Sequence, residues 1–298
     1  MGDYHVHLHQ HGRYGGSGPR PGEYPDGLVE SYVEVAASRG VTEVGFTEHL
    51  YRCVESADVL GSFWELEERK DLAAQTAAFV AEDRCLSLER YVEVVEQAKD
   101  RGLPVKLGLE VDFFPESIEA VLEMIADYPW DFLIGSVHWI GGWSIDHEGA
   151  AYEFARRGVR QTYEEYFDLT AELAGSGTVD ALAHIDVVKK FGHVLEMPPL
   201  DLYEPVVQAA AASGTAVEVS SAGLYKPVNE IYPERNFLEM FHAAGVPITL
   251  ASDAHLAEEC AQGNDVVIRY ARAAGYTERV VFDRRTMSSV PLREVDEA

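Results

Sequence analysis

The first eleven residues carry four histidines at alternate positions, and this spacing predicts a metal-binding site. Residues 3–8 have the pattern of a short strand, in which side chains two apart point to the same face. His5 and His7 would therefore lie side by side at one strand end, with His9 and His11 in the loop that follows. Imidazole is the commonest metal-binding side chain near neutral pH. An expression-tag remnant or a polar N-terminus is the alternative interpretation, but apolar residues alternate with these histidines.

Metal-ligand residue types recur where later strands are predicted to end: His49, Glu110, His138, His184, Asp253 and His255. Any one histidine could be an ordinary core residue. Several imidazoles buried at one place are costly, however, unless a partner such as a metal ion binds their lone pairs. Asp253 and His255 repeat the two-residue spacing of the first strand, and Glu110 is the natural bridge because each of its oxygens can hold a cation. One tetrahedral ion cannot use so many ligands. The sequence therefore predicts two to three divalent ions (Zn, Mn or Fe), which accept mixed imidazole and carboxylate ligands.

Strand-like and helix-like stretches alternate along the chain, which favours a parallel sheet with crossover helices. Seven core strands are predicted at 3–8, 41–49, 105–110, 131–138, 180–184, 215–221 and 246–255, with a closing strand near 279–283. An open doubly wound sheet would gather its polar residues at one switch point. Here nearly every core strand ends in His, Asp or Glu, as expected for a barrel whose active site uses the carboxyl ends of many strands. The pattern predicts a (β/α) barrel of seven or eight strands.

Composition limits the class of protein. The 298 residues are 47% hydrophobic and 25% charged, which suits one globular domain spanning 1–298. The net charge of −27 argues against a nucleic-acid-binding surface, which needs clustered Lys and Arg, but not against a small phosphorylated substrate held in one cleft. No apolar run approaches the ~20 residues of a membrane span, and three cysteines without a CxxC pair suit a cytoplasmic protein. The acidic stretch 52–84 is either a lid over the site or a solvated excursion, that is, a solvent-exposed segment. The sequence does not determine the oligomeric state.

Six motifs, taken in order along the chain, resemble those of the polymerase-and-histidinol-phosphatase (PHP) superfamily: His5-Val-His7, Phe46-Thr-Glu-His49, Gly108-Leu-Glu110, Ser136-Val-His138, Ala183-His184-Ile-Asp186 and Ser252-Asp253-Ala-His255. Further stretches resemble its histidinol-phosphatase branch, among them His138-Trp-Ile-Gly-Gly-Trp-Ser-Ile-Asp146, Ser221-Ala-Gly-Leu-Tyr-Lys-Pro227 and Glu230-Ile-Tyr-Pro233. The resemblance covers nearly the whole chain. It implies a distorted (β/α)7 TIM-like barrel of the PHP type.

The same resemblance implies a trinuclear site and divides the ligands among three ions. Carried over position by position, the three sets are His5, His7, Glu110 and Asp253; Glu110, His138 and His184; and His49 and His255 with a histidine of the first loop. In that loop His11 fits best, and His9 is the runner-up.

From this resemblance we expect a metal-dependent phosphatase that hydrolyses L-histidinol phosphate to L-histidinol and phosphate, a step of histidine biosynthesis. A metal-activated water would attack phosphorus. Asp253 could accept its proton and His255 or a neighbour could protonate the leaving oxygen, and the sequence does not choose between such roles. Arg160 and Arg235 are predicted to bind the phosphate, because a guanidinium can hold it through two bonds; Arg157 and Lys190 are further candidates. The alternatives are a PHP phosphoesterase for another small phosphate monoester and a non-catalytic metal-binding regulatory module.

Overall fold

The computed structural model describes residues 1–11 and 18–295, and its strands follow one another in the order that the sequence predicts. Within those residues the strands are β1 Gly2–Val6, β2 Glu43–Phe46, β3 Val105–Asp112, β4 Phe132–Ser136, β5 Trp139–Ile140, β6 Trp143–Ser144, β7 Ala181–Leu182, β8 Ala216–Ser220, β9 Ile248–Ala251, β10 Glu278–Asp283 and β11 Thr286–Pro291. Most of the predicted core strands are longer than the observed ones. The difference arises because most of the metal-ligand candidates lie just beyond the strand ends, in the connecting loops.

Seven of these strands form one parallel sheet with the order β1-β2-β3-β4-β7-β8-β9. The register is continuous from strand to strand, since Val44 of β2 pairs with Asp3 of β1 on one side and with Val105 of β3 on the other. A parallel bridge between Val6 and Ala254 brings the two edge strands together. The predicted (β/α)7 barrel is thereby confirmed as a nearly closed barrel with all strand carboxyl ends on one rim.

The α-helices within the described residues are α1 Leu28–Ser38, α2 Ala57–Leu60, α3 Lys70–Asp83, α4 Leu88–Asp100, α5 Ile118–Ile125, α6 Glu153–Arg157, α7 Val159–Ser176, α8 Leu200–Ser213, α9 Arg235–Ala243 and α10 Asn264–Ala273. Helix α4 illustrates how these helices pack against the barrel. The Ser87 hydroxyl accepts a hydrogen bond from the backbone N–H of Arg90 at its start, and Tyr91 and Val95 are buried one turn apart. The Tyr91 hydroxyl then donates to the Gly108 carbonyl of β3 over 2.8 Å. In the part of the chain described here, no helix combines the length and apolarity needed to cross a membrane.

An antiparallel hairpin of β10 and β11 covers the amino ends of the barrel strands. Its Phe282 ring packs against the rings of Tyr4 and Phe132 with centroids 5.4 Å apart in both pairs. The predicted closing strand near 279–283 therefore exists, but it pairs with β11, and the eight-stranded alternative is wrong. Gly45 and Gly108 are required beneath this cluster, because a Cβ atom would lie 2.7 Å and 2.5 Å, respectively, from the Phe132 ring.

The stretch 52–84 is a packed part of the rim. Leu60, Phe63, Leu72 and Val80 are buried in the same core cluster as the barrel residues. The Thr76 hydroxyl donates a hydrogen bond of 2.6 Å to the Gly142 carbonyl, between β5 and β6. These contacts do not support a solvated excursion, and they bring the C-terminal end of α3 close to the first loop of the chain.

Candidate metal centre

Glu110, at the sixth residue of β3, is the centre of a cluster of imidazoles. Its side chain is fully buried. Oε1 lies 3.0 Å from His184 Nε2 and 3.4 Å from His138 Nε2. Oε2 lies 2.5 Å from His49 Nδ1, 3.4 Å from His5 Nε2 and 3.6 Å from His7 Nε2. A single carboxylate thus faces histidines from four different regions of the chain, as a bridging ligand would.

The first group of potential ligands comes from β1 and the loop after β9. His5 Nε2 and His7 Nε2 are 3.0 Å apart, because residues two apart in a strand share a face. Asp253 Oδ1 approaches them to 3.5 Å and 3.4 Å. Together with Glu110, these side chains can surround one cation.

The second group lies beside it, where β4 and β7 end. His138 Nε2 and His184 Nε2 are 3.3 Å apart, and both face Oε1 of Glu110. His49 also belongs here through its contact with the other oxygen of Glu110. The carboxylate can therefore belong to both groups at once.

The third group gathers at the mouth of the barrel. His11 Nε2 lies 3.2 Å from His49 Nε2 and 3.2 Å from His255 Nε2. His9, the alternative loop ligand, is turned away: its Nδ1 contacts Glu48 at 3.1 Å and its Nε2 contacts the Glu23 carbonyl at 3.0 Å. The geometry thus favours His11 over His9.

In several of these rings Nδ1, the nitrogen that faces away from the centre of the cluster, contacts a carboxylate oxygen. Nδ1 lies 2.8 Å from Glu218 in His5, 2.8 Å from Asp112 in His138 and 2.9 Å from Asp83 in His11. A neutral imidazole that donates its Nδ1–H to a carboxylate has an unprotonated Nε2, the usual arrangement around a metal. In that neutral state the Nε2 lone pairs point at one another and at carboxylate oxygens, which a bound cation would satisfy. Oε2 of Glu110, fully buried, accepts no hydrogen bond from the described residues, and this donor set fits divalent cations.

Without a cation, protons take its place on part of the cluster. Burial alone would raise the pKa of Glu110, but the imidazoles of His49, His5 and His138 hold it well below its ordinary value. Burial lowers the pKa of His255 well below that of a free imidazole. For His138 the neighbouring Glu110 outweighs burial and raises the pKa to about 9. Carboxylates are therefore ionised, and a cation would compete with protons for the histidines.

Two of the candidate ligands have left-handed backbone conformations. His184 has φ 23° and Asp253 has φ 54°, although neither is glycine. Such conformations cost energy and persist only where surrounding contacts impose them. For Asp253 those contacts include its own backbone N–H, which donates to the His5 carbonyl over 2.9 Å. The neighbouring Ser252 donates through its N–H and its hydroxyl to the buried carboxylate of Asp3, over 2.9 and 2.6 Å.

A cavity of about 440 Å³ opens onto this cluster. Three aromatic side chains, those of Tyr51, Phe79 and Trp139, contribute to its lining. The lining also contains Lys190 and Lys226, which are the basic side chains among the residues that line the cavity. The Lys190 ammonium donates to the Asp146 carbonyl over 2.8 Å and to its carboxylate over 3.1 Å.

The structure does not bring the two predicted phosphate-binding arginines to this cavity. Arg160 is exposed on α7 and forms ion pairs with Glu164 and Asp201. Arg235, on α9, contacts Glu239 and donates to the carbonyls of Tyr270 and Ala273. The expectation fails because helices begin at some distance from the strand ends that carry the ligands. Lys190, named as a further candidate, lies in the loop that follows β7 and does reach the cavity.

Sequence reasoning missed the carboxylates that orient the rings. Glu218 carried a usable signal, because it is the one charged residue of β8, and Asp112 follows Glu110 by two residues, so that both share one face of β3. Asp83 carried none, since it lies among other acidic residues at the end of a surface helix.

Comparisons with known proteins agree with this geometry. The profile of the PHP domain matches residues 23–222. A probable histidinol-phosphatase of Deinococcus radiodurans is 31% identical over 247 residues, covering 83% of this chain and 85% of the relative. The crystal structure of a histidinol phosphate phosphatase from Lactococcus lactis, complexed with zinc, L-histidinol and phosphate, has a TM-score of 0.69 at 20% identity over 96% of this chain and 98% of that one. A putative histidinol phosphatase from Listeria monocytogenes has a TM-score of 0.70 at 18% identity, with 89% and 99% covered.

Proposed function

This chain belongs to the PHP domain family, and on that basis we propose that it is a metal-dependent phosphatase that hydrolyses L-histidinol phosphate to L-histidinol and phosphate. The observation that carries the proposal is the convergence of histidines and carboxylates around Glu110 beside an open cavity. The Deinococcus relative, with matching length and 31% identity, supports the choice of substrate. The reaction would belong to histidine biosynthesis.

Two to three divalent ions would occupy the cluster. The proposed ligands are His5, His7, Glu110 and Asp253; Glu110, His138 and His184; and His11, His49 and His255. Imidazole and carboxylate together suit zinc, manganese or iron. Such ions, when bound, lower the pKa of a water molecule and neutralise charge on a phosphoryl group.

The chain's own residues would supply the remaining chemistry. Asp253 retains some exposure to the cavity, and its carboxylate can accept the proton of the attacking water at Oδ2, since Oδ1 faces His5 and His7. His255, also partly exposed at the same mouth, is neutral because burial lowers its pKa, so it would bind the cation through Nε2, and a water molecule in the cavity would protonate the leaving alkoxide. Glu110 is fully buried and does not exchange protons with solvent. Its carboxylate would therefore stay ionised and hold the cations in place.

Substrate binding would use the rest of the cavity. Its volume of about 440 Å³ lies within the range of small-molecule sites. The Lys190 ammonium can contact a phosphate oxygen while Asp146 keeps it oriented. The aromatic rings of Tyr51, Phe79 and Trp139 give an imidazole-bearing substrate flat surfaces to pack on.

The chain would work in the cytoplasm, since its three cysteines are free thiols. The net charge of −27 disfavours nucleic-acid substrates by charge repulsion.

The test is phosphate release by the purified protein from L-histidinol phosphate, compared with nucleoside and sugar monophosphates, with bound metals quantified in the same sample. We expect turnover of L-histidinol phosphate to exceed that of the other esters, and to be lost after chelation and restored by zinc, manganese or iron. A preference for another monoester would replace the proposed substrate. A metal-replete protein inert on every ester would favour the regulatory module.

A further inference from the structure

We propose that Asp83, at the end of α3, is a positioning residue that holds the loop histidine His11 in place, so that the stretch 52–84 completes the outermost metal-binding group. The inference rests on the proposed metal centre and concerns one part of it. His11 lies in the loop after β1, well beyond the end of that strand at Val6. The other proposed ligands lie in barrel strands or close to their ends, but His11 needs support from elsewhere.

Asp83 supplies that support through a buried carboxylate. The residue is 1% exposed. Its Oδ2 lies 2.9 Å from His11 Nδ1 and accepts a hydrogen bond of 2.7 Å from the Tyr51 hydroxyl. With Nδ1 bound to this oxygen, the His11 ring presents its Nε2 to His49 and His255, each 3.2 Å away. The carboxylate therefore sets both the tautomer and the direction of the ring.

Arg52 joins the same carboxylate to the backbone of the loop. Its side chain is fully buried, and its Nε lies 3.2 Å from Oδ2 of Asp83. One terminal nitrogen donates to the His9 carbonyl over 3.0 Å and the other donates to the Gln10 carbonyl over 2.6 Å. A buried guanidinium is retained only where its charge and its donors are matched. Here Asp83 and Glu48 match the charge, and the carbonyls of the two residues that lead into His11 accept from the terminal nitrogens.

Two ligands of the other groups are oriented by carboxylates other than Asp83. His5 depends on Glu218, and His138 depends on Asp112. Loss of the Asp83 carboxylate should therefore weaken one ion and spare the others. A purely structural role would instead weaken the binding of all the ions together.

Helix α3 can hold the carboxylate still because its inner face is packed. Leu72, Thr76 and Val80 are buried along it at helical spacing. These contacts give the stretch 52–84 a function that differs from the predicted lid: it acts as a fixed support for the mouth of the site.

The experiment compares Asp83→Asn with Asp71→Asn, an exposed aspartate on the first turn of the same helix. Zinc is titrated into metal-free protein, and bound zinc is counted by mass spectrometry after dialysis. We expect Asp83→Asn to bind the most weakly held zinc about 10–100-fold less tightly, with the tighter zinc sites unchanged. The metal-free protein should melt at a lower temperature, because the buried Arg52 loses a charge partner. Asp71→Asn should match wild type. The His11→Ala variant should lose the same ion. Adding Asp83→Asn to that variant should weaken zinc binding no further.

Equal zinc affinity at every site in Asp83→Asn and wild type would overturn the positioning role, and so would a uniform loss of all ions. If Asp83→Asn does not fold, Tyr51→Phe removes one hydrogen bond to the same carboxylate and should weaken only the same ion; unchanged binding there would also count against the role. A wild-type protein that binds no zinc, manganese or iron would instead refute the proposed function, and with it this inference.

Discussion

Replacing Glu110 by glutamine should remove most of the stabilisation that metal binding gives to the fold. The substituted side chain would keep its size but lose its charge, and it would place an amide N–H₂ where imidazole lone pairs converge. The natural carboxylate belongs to two of the three potential metal-binding groups. The substitution replaces one oxygen atom by nitrogen and should therefore weaken the binding of two ions.

The size of the effect follows from binding linkage. At free metal 100-fold above Kd, each bound ion stabilises the folded state by about 2.7 kcal/mol. Two groups that share Glu110 would then contribute roughly 5 kcal/mol, or roughly 10 °C in melting temperature for a chain of this length. Turnover should fall by at least about 10²–10³-fold, the usual cost of losing a main electrostatic contact in a transition state.

Thermal unfolding followed by circular dichroism, with and without saturating zinc, measures this directly. The matched control is Glu123→Gln, at an exposed position on α5, which should show the full metal-induced rise. In the metal-free forms Glu110→Gln should melt below wild type and Glu123→Gln, because the imidazoles that hold the pKa of Glu110 below its ordinary value stabilise its charge. The comparison therefore uses the metal-induced rise in each protein. A metal-induced rise as large in Glu110→Gln as in wild type would refute the bridging role.

Three further predictions concern substrate binding, pH and salt. Lys190→Ala should raise KM for L-histidinol phosphate about 10-fold or more, the usual loss for a charge-assisted contact, with metal content kept, whereas Arg160→Ala should leave KM unchanged; the reverse result would restore the arginine as the phosphate ligand. Burial would raise the pKa of Glu153, but hydrogen bonds from Arg156 and Arg157 keep it below its ordinary value, so its stabilisation is present at neutral pH and lost as pH falls through the lowered pKa. In urea unfolding of metal-free protein, wild type should therefore lose more unfolding free energy than Glu153→Gln between about pH 5 and pH 3; equal losses would contradict this. Because the net charge is −27, the melting temperature should rise from low salt to about 1 M NaCl as repulsion is screened; a flat or falling curve would show that surface repulsion is unimportant.

The parts of the site that lie in or next to strands could be predicted from the sequence, because strand geometry is regular. His5 and His7 share a face by the two-residue period, and His138 and His184 meet because parallel strands end on one rim. The order of the barrel strands followed from the same regularity, which left seven and eight strands open, and the number seven came from the family resemblance.

Interactions between distant loops and helices could not be predicted in this way. Arg160 was expected at the cavity because its helix follows a ligand-bearing strand, but the orientation of a helix on the outer surface depends on its packing, and its guanidinium pairs with Asp201 instead. The support of His11 by Asp83 joins positions 72 apart, and no local pattern indicates which acidic residue of 52–84 faces inward. The direction of His9 toward Glu48 likewise depends on a contact that only the folded chain defines.

The seam between β1 and β9 also bears on how the protein is made. Asp3 and Ser252 are bonded across 249 positions of sequence, and the group formed by His7, His49 and His255 needs residues from both ends of the barrel. A growing polypeptide cannot assemble that group until nearly all of its 298 residues have been synthesised. Loading of that group's ion would therefore follow synthesis of the last barrel strand, β9. Before the ion binds, backbone hydrogen bonds between His5 and Asp253 and between His7 and Ala254 already join the end of β9 to β1.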